Sequence, residues 1–203
     1  MRLKLPVLIA GGLLLGVCLG LLLVPGAIDR LLPRGAVRSI GEASVGGPFT
    51  LTDHTGRRVT DQEWRGRYML VFFGFTFCPD VCPTALQVTA SALDKLGAKA
   101  ERVTPLFISV DWERDTPDML ARYVSSFHPR LVGLTGSADE IAAVARAYRV
   151  YYRKAKDEKS AAGYTIDHSS IVYLMGPDGR FVTHFTHTTS PDAMAAALER
   201  NLK

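Results

Sequence analysis

A buried strand, a cysteine-bearing loop and a helix follow one another without interruption and constrain the fold more than any other stretch. The run Tyr68–Phe73 is apolar throughout, which is typical of a strand covered on both faces. Beyond it, apolar residues recur at helical spacing between Leu86 and Leu96. Cys78 and Cys82 therefore lie at the carboxyl end of a central strand, where open α/β sheets place their chemistry.

The spacing of Cys78 and Cys82 lets both thiols face the same small volume. Helical β-carbons four residues apart are about 5–6 Å from each other, whereas a disulfide needs roughly 3.5–4.5 Å. Pro79 disfavours helix at Cys78, and Pro83 suits a first helical turn. We therefore expect an irregular loop that can close as a disulfide or hold a soft ion, beside a helix amino terminus that lowers thiol pKa.

The remaining elements are predicted from apolar runs, turn residues and helix caps. Thr116 and Ser137 are candidate caps, the latter in a capping box with Glu140. Residues 154–159 are predicted to be a charged, solvated loop. We expect strands at 49–52, 59–60, 103–110, 131–134, 150–152, 168–175 and 180–185, and helices at 116–127, 141–145 and 190–202. Alternating strands and helices followed by a hairpin and a helix predict a thioredoxin-like α/β layer structure.

The formal charge of +4 belongs to the amino-terminal part of the chain. Residues 1–38 contain one acidic residue, Asp29, and five basic ones: Arg2, Lys4, Arg30, Arg34 and Arg38. The rest of the chain is neutral by formal charge. Nucleic acid is therefore not an expected partner.

The segment from Leu5 to Val24 has 20 residues without a charge, matching the roughly 20 that cross a bilayer core. A cleaved signal peptide has a shorter apolar region and a small-residue cleavage site, and no Ala-x-Ala site follows here. A lipoprotein anchor at Cys18 is disfavoured by Val17 before it. We expect a transmembrane anchor at 1–25, a tether at 26–44 and a globular domain at 45–203.

Flanking charges leave the membrane orientation ambiguous, because basic residues stand on both sides of the apolar run. The cysteine pair favours an exported domain, since thiols that oxidise and reduce suit an extracytoplasmic compartment. We expect a single-pass inner-membrane protein with its domain on the periplasmic side.

Four uses of the cysteine pair remain open from the residues alone. A structural disulfide would close only a short loop and stabilise little. A redox dithiol is possible, although the usual motif has two intervening residues and this one has three. The segment Val81–Thr84 resembles the stretch around a peroxidatic cysteine, but Pro79 stands where that motif has threonine. Two thiolates could also form a metal site, because they are soft ligands that select copper(I) or zinc. An added imidazole suits copper in either oxidation state.

The chain has five histidines that could join such a site. His168 begins an apolar stretch on a loop that, in a thioredoxin-like sheet, would lie beside the cysteine loop. A capping or surface role is its ordinary alternative. Turn, surface or helix-end positions are expected for the others: His54, His128, His184 and His187.

Five segments together resemble the SCO/SenC proteins, and the resemblance covers roughly residues 45–200. They are Gly74–Thr84 (GFTFCPDVCPT), Asp111–Pro117 (DWERDTP), Val132–Gly136 (VGLTG), Ala147–Tyr152 (AYRVYY) and Tyr164–Ser169 (YTIDHS). Trp112 departs from the proline usual in the family. That position lies outside the ligand set.

The resemblance implies that Cys78, Cys82 and His168 bind one copper ion. It implies a metallochaperone, not an enzyme, that supplies the copper-acceptor subunit and binuclear copper centre of cytochrome c oxidase. It also implies thiol–disulfide activity in some members, so a redox-active Cys78–Cys82 disulfide that keeps acceptor cysteines reduced is the alternative. Candidates to orient the ligands or contact a docking partner are Asp80, Asp111 and Asp167.

Overall fold

Strands and helices alternate along the part of the chain that the computed structural model describes, residues 45–158, 160 and 163–202. These residues belong to the unit Ala43–Lys203. The strands are β1 Thr50–Asp53, β2 Arg58–Thr60, β3 Tyr68–Gly74, β4 Val103–Ser109, β5 Val132–Thr135, β6 Tyr152–Lys156, β7 Tyr164–His168, β8 Ile171–Met175 and β9 Phe181–Thr186. The α-helices are α1 Val81–Leu96, α2 Pro117–Ser125, α3 Ala138–Ala147 and α4 Pro191–Asn201. Two 3₁₀ segments, Asp61–Trp64 and Gly97–Arg102, precede β3 and β4.

Seven strands form one mixed sheet in the order β2-β1-β5-β4-β3-β8-β9. Strand β3 lies inside this sheet, parallel to β4 and antiparallel to β8. All seven of its residues are buried, because its apolar run has neighbours on both edges and both faces. The predicted central strand and the mixed α/β class are confirmed.

The helices begin where their caps predict. Thr116 accepts a hydrogen bond from the Met119 amide at the start of α2, with Pro117 in the first turn. Ser137 and Glu140 form the expected capping box of α3. Both helices therefore start from local sequence signals.

The prediction of a solvated loop at 154–159 is wrong for residues 154–156, because they belong to β6. This strand pairs with β7 in a separate two-stranded sheet, and Tyr152 lies opposite His168. No residue of β6 is buried, and its charged residues are exposed. Strand formation here comes from backbone pairing with β7, which a hydrophobic pattern does not report.

The predicted continuous strand 168–175 is interrupted. His168 ends β7, and β8 begins at Ile171 in the larger sheet. Between them Ser169 binds back to Tyr151: its amide donates to the Tyr151 carbonyl at 3.0 Å, and its hydroxyl accepts from the Tyr151 amide at 3.1 Å. The break moves His168 off the large sheet and onto a hairpin.

The expected anchor (1–25) and tether (26–44) lie outside the described residues. Among the residues that the structure describes, no helix is long and apolar enough to cross a membrane.

Candidate metal centre

The two cysteines occupy the junction between β3 and α1. Strand β3 ends at Gly74 and α1 begins at Val81, so Cys78 lies in the loop and Cys82 in the first helical turn. Cys82 is fully buried, whereas Cys78 is partly exposed. The Cys82 amide points at the Cys78 sulfur, with 3.4 Å between N and Sγ. Both cysteines are free thiols.

A glycine at the end of β3 makes room for the buried sulfur. A β-carbon added to Gly74 would lie 2.6 Å from the Cys82 Sγ and 2.8 Å from Cε2 of Phe107. Real β-carbons are not found so close to other heavy atoms. The absence of a side chain at Gly74 therefore lets Cys82 pack directly against the strand.

His168 comes to the cysteines from the β6–β7 hairpin. Its Nε2 lies 3.3 Å from the Cys82 Sγ, and the donor atoms of Cys78, Cys82 and His168 all lie within 4.8 Å of one another. The imidazole packs edge-on against Phe75 and Phe72, with ring centroids 5.7 and 6.1 Å away. The structure therefore brings together the three side chains that the sequence singled out.

The tautomer of His168 follows from its second nitrogen. Nδ1 lies 3.2 Å from the carbonyl oxygen of Ser169, which can only accept a hydrogen bond. Nδ1 therefore carries the proton, and the lone pair of Nε2 faces the sulfurs. Such a backbone contact is how proteins orient metal-binding imidazoles.

The two thiols share one negative charge. The hydrogen bond from the Cys82 thiol holds the pKa of Cys78 down at about 4, against the effect of burial and with further help from backbone amides. The same hydrogen bond, burial and the neighbouring Cys78 charge raise the pKa of Cys82 well above its usual value. One thiolate is thus ready at neutral pH. A bound cation would favour loss of the second proton because it offsets the repulsion.

The three candidate aspartates have different surroundings. Asp80 is an exposed residue preceding α1, and its Oδ1 lies 3.4 Å from the Thr84 hydroxyl. Asp167 is exposed and faces Arg153 at 3.7 Å. Successive strand residues point to opposite faces, so Asp167 points away from His168, and the Ser169 carbonyl takes the place next to the imidazole.

Asp111 is fully buried and is an internal anchor, not an exposed docking contact. It pairs with Arg114 and accepts from the Tyr164 hydroxyl at 2.8 Å. Arg114 in turn stacks on Phe77 and Tyr164.

Asp115 was not among the predicted site residues, yet it ties the cysteine loop to β4. Its carboxylate accepts from the Thr76 amide at 2.9 Å, the Thr76 hydroxyl at 2.5 Å and the Ser109 hydroxyl at 2.6 Å. Burial raises its pKa, although the hydrogen bonds from Ser109 and Thr76 oppose that shift. The sequence signal that could have identified Asp115 is its place in the polar run after a buried strand, at the same sheet edge as the cysteines.

The other histidines described are placed elsewhere, as expected. His54 and His128 accept backbone hydrogen bonds through Nδ1, from Gly133 and Arg130. His184 and His187 are exposed on and after β9.

The chain is similar to known proteins over the whole described region. The SCO1/SenC family model matches residues 37–203. The mitochondrial protein SCO1 homolog of Homo sapiens is 45% identical over 175 residues, which cover 85% of this chain and 58% of that protein. The chain thus spans 49–59% of the length of the first curated relatives it matches.

Solved structures share the fold. Arabidopsis thaliana ScoI with copper bound is 44% identical with a TM-score of 0.75, over 78% of this chain and 98% of that one. BsSco, in which a disulfide switch was identified, is a member of the Sco family of cytochrome c oxidase assembly proteins. It is 25% identical with a TM-score of 0.62, over 79% of this chain and 95% of that one.

A family match across most of the chain, relatives of this similarity and the shared fold agree with the motifs around both cysteines and the histidine. The chain belongs to the SCO1/SenC family.

Proposed function

We propose that this protein is a copper metallochaperone that binds one ion through Cys78, Cys82 and His168. It delivers that ion to the copper-acceptor subunit of cytochrome c oxidase, for the binuclear copper centre. The observation that carries the proposal is the convergence of two sulfurs and one imidazole nitrogen within 4.8 Å.

The chemistry of the three donors suits copper as cargo. Two thiolates are soft ligands that favour copper(I), and the neutral imidazole gives a mixed nitrogen–sulfur field that accommodates the oxidised ion. Support also comes from relatives: ScoI of Arabidopsis thaliana has been solved with copper bound, and BsSco belongs to a family of oxidase assembly proteins.

Delivery requires ligand exchange and no substrate turnover. Cys82 is fully buried and Cys78 is partly exposed, so an acceptor cysteine or histidine would meet the Cys78 side of the site first. Release through successive exchange of ligands avoids a free copper ion at any step.

The cellular setting is part of the same proposal. Residues 1–25 anchor the protein in the inner membrane, residues 26–44 are a tether, and the domain of residues 45–203 works on the periplasmic side. Support comes from the apolar run of 20 residues and from the mitochondrial location in the name of the human relative.

Anaerobic copper titration with absorption and spin-resonance spectra tests the ligand set. We expect one copper per chain in the wild type, and loss of tight binding in Cys78→Ser and Cys82→Ser. His168→Ala should weaken binding, while the exposed His184→Ala serves as the matched control and should bind normally. Unchanged affinity in His168→Ala would refute the three-ligand site.

A thiol–disulfide oxidoreductase that keeps acceptor cysteines reduced is the second candidate. It is favoured by the lowered pKa of Cys78, about 4, beside a second free thiol. In a deletion strain, loss of a copper chaperone should be partly rescued by added copper, whereas loss of a reductase should not. For a pure reductase, His168→Ala would also complement the strain fully.

A further inference from the structure

The hairpin that carries His168 is separate from the sheet that carries the cysteines. Strands β6 and β7 pair with each other and, among the described residues, with no strand of the seven-stranded sheet. Backbone pairing therefore does not set the distance between the imidazole and the thiols. Apart from the two-residue link to β8, the distance depends on side chains packed between the hairpin and the cysteine loop.

Arg114 lies between these two parts of the site. Its guanidinium carbon is 3.9 Å from the ring centroid of Tyr164. Tyr164 is the first residue of β7, and His168 is the last. The same carbon is 4.7 Å from the ring centroid of Phe77, the residue before Cys78. One planar cation thus contacts the element bearing the imidazole and the loop bearing the outer thiol.

Asp111 holds the guanidinium in this place. Arg114 Nε donates to Asp111 Oδ2, and the Tyr164 hydroxyl donates to Asp111 Oδ1 at 2.8 Å. Asp111 is fully buried and the Arg114 side chain is 14% exposed. A charge pair with so little water around it is held more firmly than a surface pair.

The hairpin has other contacts with the domain, among them the Trp112–Tyr152 ring pair and Lys154, whose Nζ also lies 4.7 Å from the Tyr164 ring centroid. Lys154 pairs with Glu113 at 2.6 Å, but both side chains are exposed by a third or more, so this pair adds little. Ile166 is buried in the core and keeps the hairpin on the domain. Apolar packing is non-directional, so Ile166 can retain the hairpin without fixing the orientation of the imidazole.

We propose that Arg114 is a positioning residue that clamps Tyr164 against Phe77 and so keeps His168 within bonding distance of the thiols. The proposal rests on the proposed function where copper is the reporter. A guanidinium suits the task because its flat face stacks on aromatic rings while its edge binds a carboxylate. A lysine ammonium has no such face.

Two variants of the full chain test the clamp from its two sides. Arg114→Met removes the cation and keeps the bulk of the side chain. Tyr164→Leu removes the stacking partner and leaves the Arg114–Asp111 pair. If Arg114→Met does not fold, the result for Tyr164→Leu tests the clamp on its own. Exposed residues of the same region are the matched controls: Arg153→Met and Tyr151→Leu.

The first measurement is amide hydrogen exchange in the copper-free protein. We expect exchange in β6 and β7 to rise roughly tenfold or more in both clamp variants, with β3 unchanged and both controls like the wild type. Wild-type exchange in the hairpin of both variants would overturn the proposal. This readout stands even if the wild type binds no copper, a result that would instead defeat the proposed function.

The second measurement is the spin-resonance spectrum of the copper(II) form. We expect the clamp variants to lose the nitrogen hyperfine structure of the imidazole and to keep the sulfur-to-copper absorption. Retained nitrogen coupling in both variants would contradict a positioning role. Rescue of both readouts by Arg114→Lys would show that charge alone suffices, and would likewise overturn the clamp.

Discussion

Single residues determine how close the three candidate ligands come. Gly74 supplies the space into which the Cys82 sulfur packs, and the Ser169 carbonyl fixes the imidazole tautomer. Neither residue would bind copper. Both nevertheless decide whether lone pairs point at a common centre.

Gly74→Ala should therefore damage the site without abolishing the fold. Its β-carbon would lie 2.6 Å from the Cys82 sulfur, and relief of that overlap should cost roughly 1–3 kcal/mol. Denaturant unfolding measures this loss, and copper titration should show weaker binding, because relief of the overlap moves the Cys82 sulfur relative to the other two donor atoms. In the control Gly47→Ala the new β-carbon meets only the Ala147 β-carbon, at 3.3 Å, and copper binding should be unaffected. Equal affinity in both variants would mean that the sulfur tolerates displacement.

At the scale of elements, the site depends on turns and loops held by buried carboxylates. Asp115 fastens the cysteine loop to β4, and Asp111 fastens the β4–α2 connection to β7. Asp53 does the same for the β1–β2 turn at a distance from the site. Its carboxylate accepts bonds from Thr55 and Arg57.

The Asp53 turn should make stability depend on pH. Burial alone would raise the pKa of Asp53, but the hydrogen bonds from Thr55 and Arg57 outweigh it and hold the pKa below its usual value. A carboxyl with a lowered folded pKa contributes stability above its unfolded pKa and loses it as the pH falls through the folded value. Asp53→Asn should therefore cost about 1–3 kcal/mol at pH ~7, and the difference from wild type should shrink below pH ~4.

Urea unfolding of the copper-free protein at pH ~7 and at pH ~3 measures the difference in unfolding free energy between Asp53→Asn and wild type. The exposed Asp94→Asn, on α1, is the control and should differ little from wild type at either pH. A loss of stability in Asp53→Asn that stays constant down to pH ~3 would contradict the assignment to the ionised carboxylate.

On the scale of the whole molecule, a bound ion would join parts of the domain that are distant along the chain. The cysteines follow β3, and the histidine ends β7, 86 residues after Cys82. A ligand that binds only the folded state stabilises it by mass action, by about 2.7 kcal/mol at a hundred times its dissociation constant.

Copper should accordingly raise the thermal midpoint of the full chain, and a chelator should reverse the rise. His168→Ala should show a clearly smaller increase, because only the loop and helix of the cysteines remain joined by the ion. Thermal unfolding followed by circular dichroism, with His184→Ala as control, gives the comparison. An equal increase in His168→Ala and in the control would show that the hairpin is not part of the binding site.

Local patterns in the sequence determined the elements on which the site is built. The apolar run of β3, the caps of α2 and α3 and the hairpin of β1 and β2 all depend on neighbours along the chain, and each is confirmed. The motifs also determined the family. Such signals are readable because helix and strand periods and caps act over a few residues.

Only the tertiary structure decided the arrangement around the thiols. Strand β6 exists because β7 pairs with it, Asp167 points away from His168 because neighbouring strand residues alternate in direction, and Arg114 stands between Phe77 and Tyr164 because a sheet edge and a hairpin meet there. These contacts join residues far apart in the chain. Their geometry depends on the packing of whole elements, which no local pattern encodes.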